Sequence, residues 1–396
     1  MPGALVGDRS EMDADDCRSM SRRSFLRACV ASGCALPLAA ATSCNAQPRL
    51  RREWGGVFHE KAARFWTPGD NQSVTCTLCP RECEVPEGER GYCGVRENRK
   101  GKYYTQVWGN PCALNVDPIE KKPLYHVVPG EKALSLATAG CNMKCKFCQN
   151  WNISQTRPER TVNFDLPPAR VVELAARYKC EAVAFTYSEP TTFYEYMYDT
   201  AKLAREKKLK PVVISNGFMN PEPMKQLCQV VSAVKIDLKA FTEAFYKKLT
   251  EAQLQPVLDT LTLLKKQGMW FEIVNLIIPT HNDAADELRA MCRWVKKELG
   301  PDVPLHFSSF YPTYKLRNLP RTPRKTMFRA YDIARAEGLH YVYLGNVRPA
   351  GHKAEKTLCP KCGKVLVERR AYLVLANHIK DGKCSFCGQE IPGVWQ

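Results

Sequence analysis

Cysteine spacing constrains this chain more than any other feature. Its 396 residues include 19 cysteines, an odd total that cannot all pair as disulfides. Most fall into tight groups. Cys76, Cys79, Cys83 and Cys93 form a C-x2-C-x3-C-x9-C set, Cys141, Cys145 and Cys148 form C-x3-C-x2-C, and Cys359, Cys362, Cys384 and Cys387 form C-x2-C-x21-C-x2-C. Sulfurs two or three residues apart converge on one metal centre and seldom on each other, and thiolates suit zinc and iron–sulfur clusters. Disulfide scaffolds are short and lack a core, whereas this chain is long and 44% hydrophobic. The clustered cysteines therefore read as metal ligands in a large folded chain. Cys112, Cys180, Cys228 and Cys292 stand alone, and Cys17, Cys29, Cys34 and Cys44 lie near the start.

The patterning between the groups indicates an α/β fold. Short, nearly continuous apolar runs at 133–139, 182–187, 211–215, 233–238, 271–278 and 305–310 read as strands, with a further one at 341–344. Helical stretches at 168–178, 192–208, 221–231, 242–267 (broken near Pro256), 283–299 and 323–338 alternate with them. Strands apolar on both faces, each followed by a helix, predict a parallel sheet wrapped by helices. Six βα units suit a partial barrel better than a closed eight-unit one, and small Cys-rich modules are expected at both ends. The expected divisions are 1–48, a targeting segment; 49–132, an N-terminal Cys-rich module whose residues 49–70 read as a linker or short helix; 133–350, the barrel core; and 351–396, a C-terminal module. The charge balance, 58 Lys and Arg against 41 Asp and Glu, suits an anionic surface or substrate and says nothing about fold. There is no G-x4-G-K, no G-x-G-x-x-G and no H-E-x-x-H, so these motifs support neither nucleotide hydrolysis nor a Rossmann cofactor site.

The first residues carry Arg22 and Arg23 ahead of 21 residues, 28–48, without Asp, Glu, Lys or Arg. The run is too weakly apolar, and too broken by Gly33 and Pro37, for a spanning helix, so no integral membrane domain is expected. It resembles a twin-arginine export signal, with cleavage after Ala41 or Ala46, or lipidation at Cys44. That implies the twin-arginine translocase as a partner and a cell-envelope, periplasmic location. A cytoplasmic protein with a chance arginine pair is the alternative.

Cys141-Asn142-Met143-Lys144-Cys145-Lys146-Phe147-Cys148 follows the first candidate strand. Three thiolates are one too few for a closed site. They would leave one iron of a cubane open, as catalytic zinc sites leave one position open. With an aromatic before the last cysteine, the loop resembles that of the radical S-adenosylmethionine superfamily. The resemblance implies a 4Fe-4S cluster whose open iron binds S-adenosylmethionine. It also implies reductive cleavage to a 5′-deoxyadenosyl radical that abstracts hydrogen, and a reductant such as flavodoxin or ferredoxin. Glu189 of Tyr187-Ser188-Glu189-Pro190 takes the place of the superfamily's acidic residue that meets the amino group of S-adenosylmethionine, although the usual preceding glycine pair is absent. Asn216 sits in a similar Asn-Gly turn. Asp237-Leu238-Lys239 resembles the Asp-x-Lys motif of glycyl-radical-enzyme activases, which helps to place S-adenosylmethionine. Polar groups at strand C-terminal ends belong at the active face of a βα barrel. Asn275 and His306 are weaker candidates, and the run Phe193, Tyr194, Tyr196 and Tyr198 reads as packing.

Glycine follows the second cysteine in Cys359-Pro360-Lys361-Cys362-Gly363 and in Cys384-Ser385-Phe386-Cys387-Gly388. These paired knuckles read as a zinc ribbon, with an auxiliary iron–sulfur cluster as the alternative. The first quartet, Cys76, Cys79, Cys83 and Cys93, suits zinc or a second cluster equally. Several stretches together resemble the AmmeMemoRadiSam-system radical enzyme, a relative of pyruvate formate-lyase activase. They are Cys-x-Leu-Cys-Pro-Arg-x-Cys, Asp117-Pro118-Ile119-Glu120-Lys121-Lys122-Pro123-Leu124, Gly140-Cys141-Asn142, Cys148-Gln149-Asn150-Trp151 and the terminal cysteine pairs. The resemblance leaves the substrate unidentified, with a glycyl radical enzyme as one candidate. Radical modification of a small molecule or RNA is a second reading, and a non-catalytic iron–sulfur redox or scaffold protein a third.

Overall fold

The computed structural model describes residues 50–347 and 353–396, so the arginine pair and the run behind it lie outside the described residues. Within these, eight strands form one sheet: β1 Ala113–Pro118, β2 Lys132–Ala137, β3 Ala182–Phe185, β4 Lys210–Ser215, β5 Ala233–Asp237, β6 Phe271–Ile277, β7 Leu305–Ser309 and β8 Val342–Gly345. They lie side by side in chain order, and β2 to β8 are all parallel. Strands β4, β5 and β6 are Val- and Ile-rich and largely buried on both faces, which makes them mostly apolar runs rather than alternating ones. No pairing joins β1 to β8 among the described residues, so the sheet stays open.

Parallel neighbours need crossovers, and helices supply them. They are α1 Pro168–Arg177, α2 Tyr194–Glu206, α3 Pro221–Cys228, α4 Gln255–Lys266, α5 Ala285–Trp294 and α6 Arg324–Ala336. Prolines open α1, α3 and α4, where a missing N–H costs nothing. Six βα units run from β2 to β8, as the alternation predicts. Phe193, Tyr194 and Tyr196 are fully buried, as a packing face requires.

Two expectations need correction. Strand β1 comes from the stretch assigned to the N-terminal module. It pairs antiparallel with β2, Ala113 opposite Ala137 and Asp117 opposite Ala133, and so belongs to the barrel. Residues 49–70 hold short strands, Arg52–Trp54, Lys61–Ala62 and Trp66–Pro68, rather than a helix on the core. The break expected near Pro256 is present, just before it. A short helical piece ends at Glu251, whose φ is +54°, and Pro256 lies in the first turn of α4.

Residues 119–128 close the barrel floor. The backbone N–H groups of Tyr125 and His126 donate to the buried Glu272 of β6 at 3.0 and 2.8 Å. The C-terminal module braces this segment: Val394 N donates to His126 O at 2.7 Å, and Arg369 Nη2 to Tyr125 O at 2.7 Å. No helix among the described residues is long and apolar enough to cross a membrane.

Candidate active site

Polar side chains gather where the parallel strands end. Cys141, Cys145 and Cys148, on the loop leaving β2, line one wall of a pocket of about 680 Å3. The loop is pinned by backbone bonds from Lys144 N to Thr250 O and Lys146 N to Leu249 O, both 2.9 Å. All three cysteines are free thiols, and no fourth cysteine lines the pocket. Burial pushes Cys145 up to about 12 against the pull of Lys239, and raises Cys141 and Cys148 as well. Bare thiols here are protonated at neutral pH, so a metal centre binds by displacing their protons. The donor set would fit an iron–sulfur cluster held by three thiolates, which leaves one iron without a protein ligand.

Glu189, Asn216, Asp237 and Lys239 line the same pocket from the ends of β3, β4 and β5. Glu189 Oε1 accepts from Thr191 N at 3.0 Å and from the hydroxyls of Thr191 and Ser215, both at 2.7 Å. Its Oε2 accepts from Asn216 N at 2.8 Å. One carboxylate thus ties two strand ends together, and burial raises its pKa against those donors. Asn216 Nδ2 donates to Asn142 Oδ1 at 2.8 Å, joining β4 to the cysteine loop. Asp237 is bonded by Lys235 and by Lys239, the latter at 3.3 Å. Burial opposes its ionisation, yet the two lysines hold it below the usual carboxylate range.

Lys235, Lys122 and Tyr187 also line the pocket and were not singled out as site residues from the sequence. Lys235 precedes Asp237 by two positions, and the strand period of two puts both on one face. A lysine inside the apolar run of β5 was the available signal. Buried beside Lys122 and Tyr187, Asp117 accepts from Lys121 at 2.8 Å, from Lys122 and from the Tyr187 hydroxyl. Burial alone would raise Asp117, but these partners hold it far below its ordinary value. Burial draws Lys122 down to about 8 despite the carboxylate beside it. Tyr187 has φ +63°, a strained conformation for a bulky residue, beside the pocket.

The weaker candidates separate. His306 reaches the pocket wall, but its Nε2 bonds Glu272 Oε2 at 2.6 Å, so it is a satisfied core histidine. Asn275 donates to Leu238 O at 2.8 Å, spanning β5 and β6.

The two cysteine quartets differ in size. Cys359 and Cys387 sulfurs lie 3.6 Å apart, and Cys362 and Cys384 sulfurs 3.8 Å apart. Zinc–sulfur bonds of about 2.3 Å place tetrahedral sulfurs about 3.8 Å apart, so one such ion fits this quartet. Among the described residues, this is the group of three or more candidate ligands whose atoms all lie within 4.8 Å of one another. Neither the Cys76–Cys93 quartet nor the Cys141–Cys148 triplet is drawn together so tightly.

The radical SAM superfamily model matches residues 135–295. An uncharacterized protein of Methanocaldococcus jannaschii is 45% identical over 333 residues, covering 84% of this chain and 98% of that protein. The chain belongs to the radical SAM superfamily. A radical SAM protein uses a 4Fe-4S cluster and S-adenosylmethionine, together with a reductant and a substrate, and the Cys141–Cys148 loop lies within the matched residues. Weaker similarity reaches activating enzymes of glycyl-radical partners. Pyruvate formate-lyase-activating enzyme of Clostridium pasteurianum is 21% identical over 166 residues, covering 40% of this chain and 66% of that one. A radical SAM methyltransferase of Sphaerobacter thermophilus, solved as a crystal structure, matches with a TM-score of 0.45. The match covers 60% of this chain and 71% of that chain at 16% identity.

Proposed function

We propose that this radical SAM protein abstracts a hydrogen atom from a substrate held in the pocket beneath Cys141, Cys145 and Cys148. The observation that carries the reading is the convergence of those three thiols with Glu189, Asn216, Asp237 and Lys239 at the C-terminal ends of successive strands. When bound, the cluster and S-adenosylmethionine supply a 5′-deoxyadenosyl radical. Glu189 and Asn216 hold the strand ends against the cysteine loop and offer polar atoms to the ligand's amino and carboxylate groups. Asp237, kept ionised by Lys235 and Lys239, presents a fixed charge on the facing wall. The buried floor around Tyr125 and His126 keeps water from entering the barrel behind the reacting atoms.

For the substrate we propose a glycyl residue of a partner enzyme, on the similarity to activases, and a flavodoxin- or ferredoxin-type one-electron donor. The stretches quoted above support assignment to the AmmeMemoRadiSam-system branch. At the C-terminal quartet we propose a structural zinc ion, on the sulfur spacing of 3.6 and 3.8 Å. We also propose twin-arginine export to the cell envelope, on Arg22 and Arg23 ahead of an uncharged run. Substituting lysine for both arginines would then retain the protein in the cytosol. Intact Met1-bearing protein in the cytosol, unchanged by that substitution, would refute export.

Anaerobic protein, dithionite and S-adenosylmethionine should yield 5′-deoxyadenosine, and a deuterated substrate should pass its label into that product. Label drawn from a small molecule or RNA would replace the glycyl assignment. Undiminished 5′-deoxyadenosine formation after Cys141, Cys145 and Cys148 are all changed to Ala would refute the reading.

A further inference from the structure

We infer that Cys76, Cys79, Cys83 and Cys93 hold a second 4Fe-4S cluster, closed by four thiolates and seated against the loop that carries Cys141. The inference rests on this quartet's own geometry and not on the reaction proposed above.

The four cysteines arrive from two turns. Cys76 ends a short strand, Val74–Cys76, and its N–H donates to Cys83 O at 2.9 Å, closing the first turn around Cys79. Cys93 comes from a second turn, in which Gly94 N donates to Gly91 O at 2.8 Å. All four side chains border one small cavity. Yet no three of their sulfurs lie within 4.8 Å of one another, unlike the C-terminal quartet. A single tetrahedral zinc would draw the sulfurs to about 3.8 Å. A cubane sets its ligand thiolates at the corners of a wider body, and the sulfurs of the Cys141–Cys148 triplet likewise do not all lie within 4.8 Å of one another.

The cavity wall supplies donors that need an acceptor. Arg96 and Tyr103 are each 1% exposed. Arg96 Nη1 points at Cys76 Sγ across 3.6 Å, and Tyr92 N donates to Cys83 Sγ at 3.5 Å. Arg96 Nε and the Tyr103 hydroxyl have no partner among the described residues. Leaving two such donors buried and unpaired is costly. The sulfides of a cluster would accept from them, and hydrogen bonds to sulfur are a normal feature of cluster sites. Gly91 makes the room. A Cβ there would lie 2.9 Å from the Tyr103 hydroxyl and 3.8 Å from Cys83 Sγ.

The site abuts the first cluster loop. Gly140, the residue before Cys141, has φ +98°, and a Cβ there would lie 2.9 Å from Cys93 O. Asn142, within the Cys141 loop, lines the cavity. With four thiolates and no open iron, the second cluster has no position for substrate.

The test uses the full chain, purified anaerobically and reconstituted with iron and sulfide, with iron, acid-labile sulfide and zinc counted per chain and Mössbauer spectra recorded. The variant with Ala at Cys141, Cys145 and Cys148 should keep about half the parent's iron and sulfide, with a 4Fe-4S doublet. The variant with Ala at Cys76, Cys79, Cys83 and Cys93 should also fall to about half; if it fails to fold, the first variant decides. If that first variant holds no sulfide, and about twice the zinc of a Cys359→Ser/Cys362→Ser protein, the quartet is a zinc site and the inference is overturned. Loss or retention of S-adenosylmethionine cleavage in the same variant bears separately on the proposed function.

Discussion

Arg81 Nε donates to the backbone carbonyl of Asn142 at 2.6 Å, a bond between the first cysteine turn and the Cys141 loop. The same guanidinium donates to Glu251 O and lies over the Tyr92 ring, 3.5 Å from its centroid. Arg81→Ala removes both bonds and the stacking. It should destabilise the protein by about 2 kcal/mol, the range for bonds from charged donors, as read by denaturant titration. Lys at this position should restore little, because one ammonium cannot reach both carbonyls and stack.

Glu189→Gln keeps the shape and replaces one acceptor oxygen with a donor. Four donors now converge on that carboxylate, so the amide would face at least one of them. The expected loss is about 1.5–3 kcal/mol, equivalent to roughly 10- to 100-fold weaker S-adenosylmethionine binding if the strand ends shift. Calorimetry on anaerobic holoenzyme would measure it. Unchanged affinity would mean that Glu189 only braces the strands.

The barrel floor carries a pH dependence. His126 Nδ1 faces Pro392 O at 2.7 Å, and a carbonyl can only accept, so Nδ1 holds the proton and Nε2 accepts from the Tyr343 hydroxyl at 2.7 Å. Burial draws His126 down to about 4 from an ordinary value near 6.5. Between those values the unfolded chain binds a proton that the folded chain refuses. Stability is therefore full above about pH 6.5 and declines as pH falls toward 4, by about 3 kcal/mol from this group. In His126→Phe the slope over that window should flatten relative to the parent. Equal slopes would assign the dependence elsewhere.

The C-terminal quartet should matter to the barrel as well as to its own module. Arg369 spans the two, reaching Tyr125 O, Thr357 Oγ1 at 2.9 Å and Glu120 at 3.4 Å. Changing Cys359 and Cys362 to Ser should remove one zinc per chain and lower Tm by about 5 °C or more. An unchanged Tm with zinc lost would show that the floor holds without the module.

The strands and helices were legible because both faces of β3, β4 and β5 are buried, so their apolar runs stand out without tertiary knowledge. That the cysteine triplet, Glu189, Asn216, Asp237 and Lys239 would face one pocket was legible because each ends or closely follows a strand. Lys235 was not, because a charged residue in an apolar run contradicts the pattern until its partner, Asp237, is seen beside it. Strand β1 escaped because its Asn115 and Asp117 break the apolar run, and its place at the sheet edge requires no second apolar face. Asp117, Lys122 and Tyr187 are up to 70 positions apart, and only the side-by-side pairing of β1, β2 and β3 brings them together.

Spacing along the chain determined which cysteines act as sets and that six βα units follow one another, because ligand turns and strand periodicity are local properties. Tertiary structure decided the size of each set. The C-terminal sulfurs are drawn to 3.6 and 3.8 Å, while Cys76, Cys79, Cys83 and Cys93 stand around a cavity that Tyr103 and Arg96 border. C-x2-C fixes only how far apart two thiols can be. What fills the space between them depends on side chains that fold in from elsewhere in the chain.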